Sequence, residues 1–124
     1  MFKAVIKVSS KEDLQNLIKN HPVFFAVLPN SSAPDSKRLL TNVEEFAKKN
    51  PTYPFVILDE SMRGHFQPHF NPKAPVAYYI FRNGYMLFRR DYEIWFEDVE
   101  RALQFASAID MKAWLAEEPR FQLQ

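Results

Sequence analysis

The chain has 124 residues, no cysteine, two glycines, nine prolines and an aromatic set of 2 Trp, 5 Tyr and 12 Phe. That length supports one domain with a two-layer core, and the lack of cysteine excludes disulfides, thiolate catalysis, cysteine-ligated zinc and iron–sulfur clusters. The net charge of +1 is too small to direct the chain to nucleic acid or to an anionic membrane.

Phe2–Val8 alternates enough to read as a strand. Ser9-Ser10 then offers an N-cap, with Glu12 and Asp13 in the first turn and Leu14, Leu17 and Ile18 at helical spacing. His21-Pro22 stops that helix, His21 reading as a terminus residue favourable to the dipole. Val23–Leu28 is a continuous apolar run of strand length, as a strand buried on both faces requires. Pro29 to Pro34 is a polar loop. A second helix follows, with Pro34 near its first turn, Asp35 at the positive end of the dipole and a stripe of Leu39, Leu40, Val43, Phe46 and Ala47. After Pro51 and Pro54, Phe55–Leu58 reads as another buried strand, closed by Asp59-Glu60. Residues 61–71 form a short, weakly helical stretch broken at Pro68. Val76–Phe81 and Tyr85–Arg90 are β-rich and are joined by Asn83-Gly84, whose tolerance of positive φ suits a type I′ hairpin. Phe96, Val99, Leu103 and Ala106 stripe a further helix. Asp110 caps a last one, which carries Trp114 and Leu115 and ends before Pro119.

The order β-α-β-α-β-α-β-β-α-α, with βαβ units first and a hairpin last, predicts a mixed sheet with helices on both faces. One domain is expected over residues 1–124, with its core at about 2–107 and a helical extension at about 108–124. Residues 1–90 carry 13 Lys/Arg against 7 Asp/Glu, and residues 91–124 carry 3 against 8, so the two parts stand at +6 and −5. This asymmetry suits a C-terminal segment docked on a mildly basic body, or an acidic face offered to a partner. The N-terminal residues lack a long apolar h-region, and Val23–Leu28 and Val76–Phe81 are far short of a membrane span, which predicts a soluble, cytoplasmic protein.

Three landmarks resemble the thioredoxin family. Val23–Leu28 leads into Ser32-Ala33-Pro34-Asp35-Ser36-Lys37, where thioredoxins have Trp-Cys-Gly-Pro-Cys-Lys. Ala74-Pro75-Val76 precedes a strand like the family's cis-proline loop. Phe81-Arg82-Asn83-Gly84 is close to the family's Phe-Lys-Asn-Gly turn. The resemblance covers roughly residues 2–107 and implies a thioredoxin-like α/β fold. Its redox apparatus is missing: Ser32 and Asp35 stand at the two cysteine positions, Ala26 at the buried aspartate and Ser31 at the tryptophan. Bulky Asp91-Tyr92 lies near the position of the family's loop glycine.

Ser32 has no base–orienter pair to activate a hydroxyl, so a capping or loop role is expected for Ser32 and Asp35. His65 and His69 are four apart, but Pro68 between them disfavours the helix that would align them on a metal. Arg82, Arg89 and Arg90 are interleaved with Tyr85, Phe88 and Tyr92 as in base-stacking surfaces, yet Asp91, Glu93, Glu97 and Asp98 follow at once. No cofactor, metal, nucleic acid or membrane partner is expected. Binding remains. The scaffold implies a redox-inactive protein- or peptide-binding module, with a partner protein or a second copy meeting Ser32, Ala33, Pro34, Asp35, Ala74 and Pro75. An extended peptide would pair with the Ala74 backbone. The alternative is a non-redox enzyme or a glutathione-type ligand binder using the cleft between the Asn30–Asp35 loop and Pro75. Most aromatics are expected in the core, and the remainder in a contact patch.

Overall fold

A computed structural model describes residues 5–117 and 119–123. Five strands and four α-helices follow in the predicted order: β1 (Ile6–Val8), α1 (Lys11–Asn20), β2 (Val23–Pro29), α2 (Ser36–Lys49), β3 (Phe55–Leu58), β4 (Val76–Arg82), β5 (Tyr85–Asp91), α3 (Phe96–Ala108) and α4 (Met111–Glu117). A 3₁₀ segment, Glu60–Phe66, sits between β3 and β4. Of the strand expected over Phe2–Val8, residues 2–4 lie outside the described residues.

The sheet order is β1-β3-β2-β4-β5. β1, β3 and β2 run parallel, and β4 and β5 antiparallel to their neighbours. The pleat sends alternate residues of β2 to opposite sides. Phe24, Ala26 and Leu28 join Leu14 and Leu17 of α1, and Phe66, in one core. Phe25 and Val27 join Leu39 and Val43 of α2 and Val99 and Leu103 of α3 in the other. Burial on both faces is why β2 reads as an unbroken apolar run. Tyr78 and Tyr79 of β4 are 1% and 0% exposed, one in each core.

The local signals act as their chemistry dictates. Ser10 accepts the Asp13 N–H at 3.1 Å and starts α1. His21 closes that helix through its own N–H on the Leu17 carbonyl. Asn83 and Gly84 take φ of 53° and 84°, completing the hairpin. Asp110 receives the Lys112 and Ala113 N–H groups at the head of α4.

The short, weakly helical stretch expected before Pro68 is the 3₁₀ segment, which ends at Phe66; His65 is exposed, and the His69 ring packs on Phe121 at 4.2 Å. Two expectations are corrected. The Ala74–Pro75 bond is trans, and the cis peptide bond among the described residues joins Gln67 to Pro68. With the trans geometry Pro75 extends the β4 line, and its carbonyl takes the Asn30 N–H at 2.9 Å, one step beyond the Pro29–Val76 pair. The extension expected to be helical over about 108–124 has a helix at Met111–Glu117, and residues 121–123 are not helical. Residues 121–123 return along β5, where Met86 donates to the Phe121 carbonyl and Leu123 to the Gly84 carbonyl, and Leu123 is buried. That return covers the first residues of an otherwise open sheet edge.

Candidate functional site

Three segments meet at one end of the sheet: the loop after β2, the residues before β4 and the residues after β5. The register requires this, because Pro29 pairs with Val76 and Ala77 with Asp91. Ligands of open α/β sheets bind beyond this end of the strands.

Asn30 organises the first two segments. It is 7% exposed, and its side-chain amide donates to the carbonyls of Pro72 at 3.0 Å and Ala74 at 3.1 Å. Its Oδ1 accepts the Ser32 hydroxyl at 2.7 Å. Ala74 is 2% exposed, with its N–H on the Asn71 carbonyl and its C=O on Asn30, and Pro75 is buried. The Ala74 backbone is therefore satisfied within the chain and has no free edge for an extended peptide. The space beside Asn30 and Ala74 is about 10 Å³, room for a single water at most. At the start of the expected cleft between the Asn30–Asp35 loop and Pro75, Asn30 fastens the loop directly to Pro72, Ala74 and Pro75. Ser32, Pro34 and Asp35 remain exposed, with Ala33 half-buried.

The open side faces α2. A cavity of about 600 Å³ lies between the loop, the first turns of α2 and the start of the 3₁₀ segment. Pro29, Ala33 and Leu40 form apolar wall, and Ser36, Lys37 and Glu60 are polar. Glu60 holds the loop in place: one carboxylate oxygen accepts the Ser31 N–H and the other the Ser31 hydroxyl at 2.9 Å. α2 itself begins differently from the expectation. Asp35 takes a left-handed conformation, φ 72°, and makes no capping bond, so the helix starts at Ser36. The Asp35 carboxylate lies instead 3.5 Å from Arg38. Ser32 is a loop residue, as its bond to Asn30 shows.

Arg38 ties this loop to the segment after β5, with Nη2 2.9 Å from Glu93. Glu93 first and Asp35 second raise the guanidinium's pKa above its already high ordinary value. On the far side of Arg38 is a cavity of about 300 Å³ lined by Tyr78, Ile94, Trp95 and Phe96. Trp95 is 69% and Tyr92 50% exposed, so these are the aromatics left outside the core at this end of the sheet. Arg38, Ser36 and Glu60 are the members that sequence reasoning missed. Lys37-Arg38 directly after the loop and a carboxylate directly after β3 were the available signals.

No family model and no curated protein matches the sequence. Solved structures do match. A mutant thioredoxin from Halobacterium salinarum NRC-1 superposes with a TM-score of 0.66 at 10% identity, over 85% of this chain and 92% of that one. The chain has the thioredoxin fold. A thioredoxin h from poplar gives 0.65 at 12% identity over 87% and 100%. Plasmodium falciparum thioredoxin gives 0.64 at 13% over 81% and 97%. These identities establish architecture and nothing finer. With no cysteine in the sequence, this thioredoxin-fold chain has no thiol for dithiol exchange. Among the described residues no group of three metal-ligating side chains comes together, and no helix is long and apolar enough to cross a membrane.

Proposed function

We propose that this chain is a redox-inactive thioredoxin-fold module that binds another protein or a peptide. The binding face is built by Ser31–Arg38 and by Tyr92–Phe96. The observation that carries this reading is Trp95, an exposed aromatic that lines the smaller of the two cavities flanking Arg38, with exposed Tyr92 three residues before it. Large aromatic groups left in water at a cavity rim are characteristic of contact surfaces, where Trp, Tyr and Arg supply most of the binding energy. Ala33, Pro34 and Asp35 form the exposed shoulder of that face, while Ala74 and Pro75 support it from beneath.

Capture of partners from a source lysate on the immobilised protein tests the reading. The comparison is between Trp95→Ala, Arg38→Glu and, as control, Phe105→Ala, which removes an exposed aromatic further along α3. Partners lost with the first two and retained with the third support the assignment. Equal capture by all three variants refutes the surface. Turnover above background in an insulin-reduction assay refutes the redox-inactive premise.

A further inference from the structure

The cavity of about 600 Å³ on the α2 side has features that a partner surface alone does not explain. α2 starts without a capping side chain and has no acidic residue in its first turn, whereas α1 has Ser10, Glu12 and Asp13 in those roles. Its first N–H groups, which no helix can satisfy internally, carry the positive end of the dipole. Ser36 lines the cavity, is 3% exposed, and its hydroxyl has no hydrogen-bond partner. A buried hydroxyl in that state costs about 1–3 kcal/mol, so an acceptor supplied from outside would relieve it.

Charge decides which acceptor. Four ionised side chains line the cavity. Glu60 is engaged by Ser31, and Asp35 by Arg38. Lys37 has no ion pair among the described residues. Lys37 and Arg38 together balance Asp35 and Glu60, so the pull on an added anion is that of the helix N-terminus and suits a single negative charge. A phosphate dianion would carry a second charge into a site that already holds the Asp35 and Glu60 carboxylates. Size decides the rest. The volume falls in the range of about 300–1,000 Å³ typical of ligand sites and far exceeds a carboxylate. The remaining wall of Pro29, Ala33 and Leu40 is apolar.

We propose that this cavity receives the C-terminal residue of a peptide, its carboxylate at the first turn of α2 and its apolar side chain against Pro29, Ala33 and Leu40. The inference rests on the peptide-binding reading above and names its ligand class. A peptide C-terminus joins a single charge and an apolar side chain in one residue. Its preceding residues would cross Arg38, which lines both cavities, toward Trp95.

The test is an amide NMR titration with acetyl-Trp-Ala-Leu bearing a free carboxylate, with the same peptide as its C-terminal amide, and with inorganic phosphate. The free acid should shift the amides of Ser36, Lys37 and Arg38. Amidation, and Lys37→Glu in the protein, should each weaken binding about tenfold, the loss of one charge-assisted contact. Lys37 is exposed, so that variant keeps the fold, and a wild-type-like spectrum without ligand checks this. Equal binding of the amide, or no shift at millimolar peptide, overturns the proposal. Phosphate competing at the same amides overturns it too, in favour of a general anion site. If both peptides shift Tyr92 and Trp95 but leave Ser36–Arg38 unmoved, the peptide-binding reading stands and the C-terminal assignment fails.

Discussion

Asn30 is the residue on which the closed side of the site depends, and its replacement has a calculable cost. Asn30→Ala removes two donors and one acceptor at 2.7–3.1 Å. It strands the Pro72 and Ala74 carbonyls, the latter in a buried residue. Each bond contributes about 0.5–1.5 kcal/mol net, and a stranded buried acceptor costs about 1–3 kcal/mol. The Ser32 hydroxyl is exposed and finds water, so it adds little. The expected loss is about 2–3 kcal/mol in urea unfolding followed by circular dichroism, with an unchanged m-value. Asn30→Asp is the sharper probe because it keeps the shape and reverses the polarity. The introduced carboxylate faces two carbonyls, which raises its pKa above the unfolded value of about 3.9. A raised carboxylate pKa means that the penalty is present above that pH and fades below it. The stability gap to wild type should therefore exceed that of Asn30→Ala at pH 7 and narrow toward pH 4. A loss below about 0.5 kcal/mol for Asn30→Ala, the level of an ordinary surface change, would refute the reasoning. So would an Asn30→Asp gap independent of pH.

The other predictions concern supports further from the site. Arg82 donates from Nη1 to the carbonyls of Ala106 at 3.0 Å, Ser107 at 3.3 Å and Ile109, so it caps the C-terminal end of α3 with a positive charge. Arg82→Met should cost about 2 kcal/mol, and Arg82→Lys should recover part of it, read by thermal unfolding. Gly84 sits at φ 84°, and Gly84→Ala should cost about 1 kcal/mol by forcing a side chain into the left-handed region. Burial pushes the Tyr78 hydroxyl up to about 12, with Glu93 adding to it, and burial also raises Tyr79. Below the unfolded tyrosine pKa of about 10 both stay neutral in either state and the fold is unaffected. Above it the unfolded chain ionises first, so Tyr78 alone should withdraw about 2–3 kcal/mol by pH 12. Tyrosinate absorbance should then rise together with loss of circular dichroism, and Tyr78→Phe should shift that midpoint upward. Ionisation of Tyr78 in a chain that stays folded would contradict this.

The fold was legible because its signals are local and mutually consistent: an unbroken apolar β2, the Ser10 cap, and Asn83-Gly84 between two β-rich runs. The return of Phe121 and Leu123 to the edge of β5 was hidden, since their period-2 spacing spans three residues and their partners lie near residue 85. Of the candidate site, the loop was legible. Ser32–Asp35 lie on the loop between β2 and α2, as read, because a strand–loop–helix transition is a chain-local feature. The side that opens depends on Asn30 reaching across more than forty residues to Pro72 and Ala74, and on Glu60 reaching Ser31. A polar residue such as Asn30 in a polar loop gives no sign from sequence that it will be buried. The Asp35 cap failed for a related reason: its left-handed backbone aims the carboxylate at Arg38 instead of the first-turn N–H groups.

The absence of cysteine bears on this arrangement as well. A dithiol site must leave its reacting atoms open to a substrate disulfide, because exchange proceeds by direct attack through a mixed disulfide. A chain without thiols has no such requirement. Here the side toward Pro75 holds a buried amide that donates both its side-chain N–H groups to the backbone of the segment before β4. The freed volume lies on the other flank, beside a helix start that no side chain neutralises. Without a thiol to expose, Asn30 can lock the loop from within. The same lock predicts that a cysteine pair placed at Ser32 and Asp35 would not restore insulin reduction. The exposed Asp35 position lies outside α2 in a left-handed turn, so it lacks the first-turn N–H contacts that lower a thiol pKa. Insulin turnover by that double variant well above the cysteine-free background would show the lock to be irrelevant.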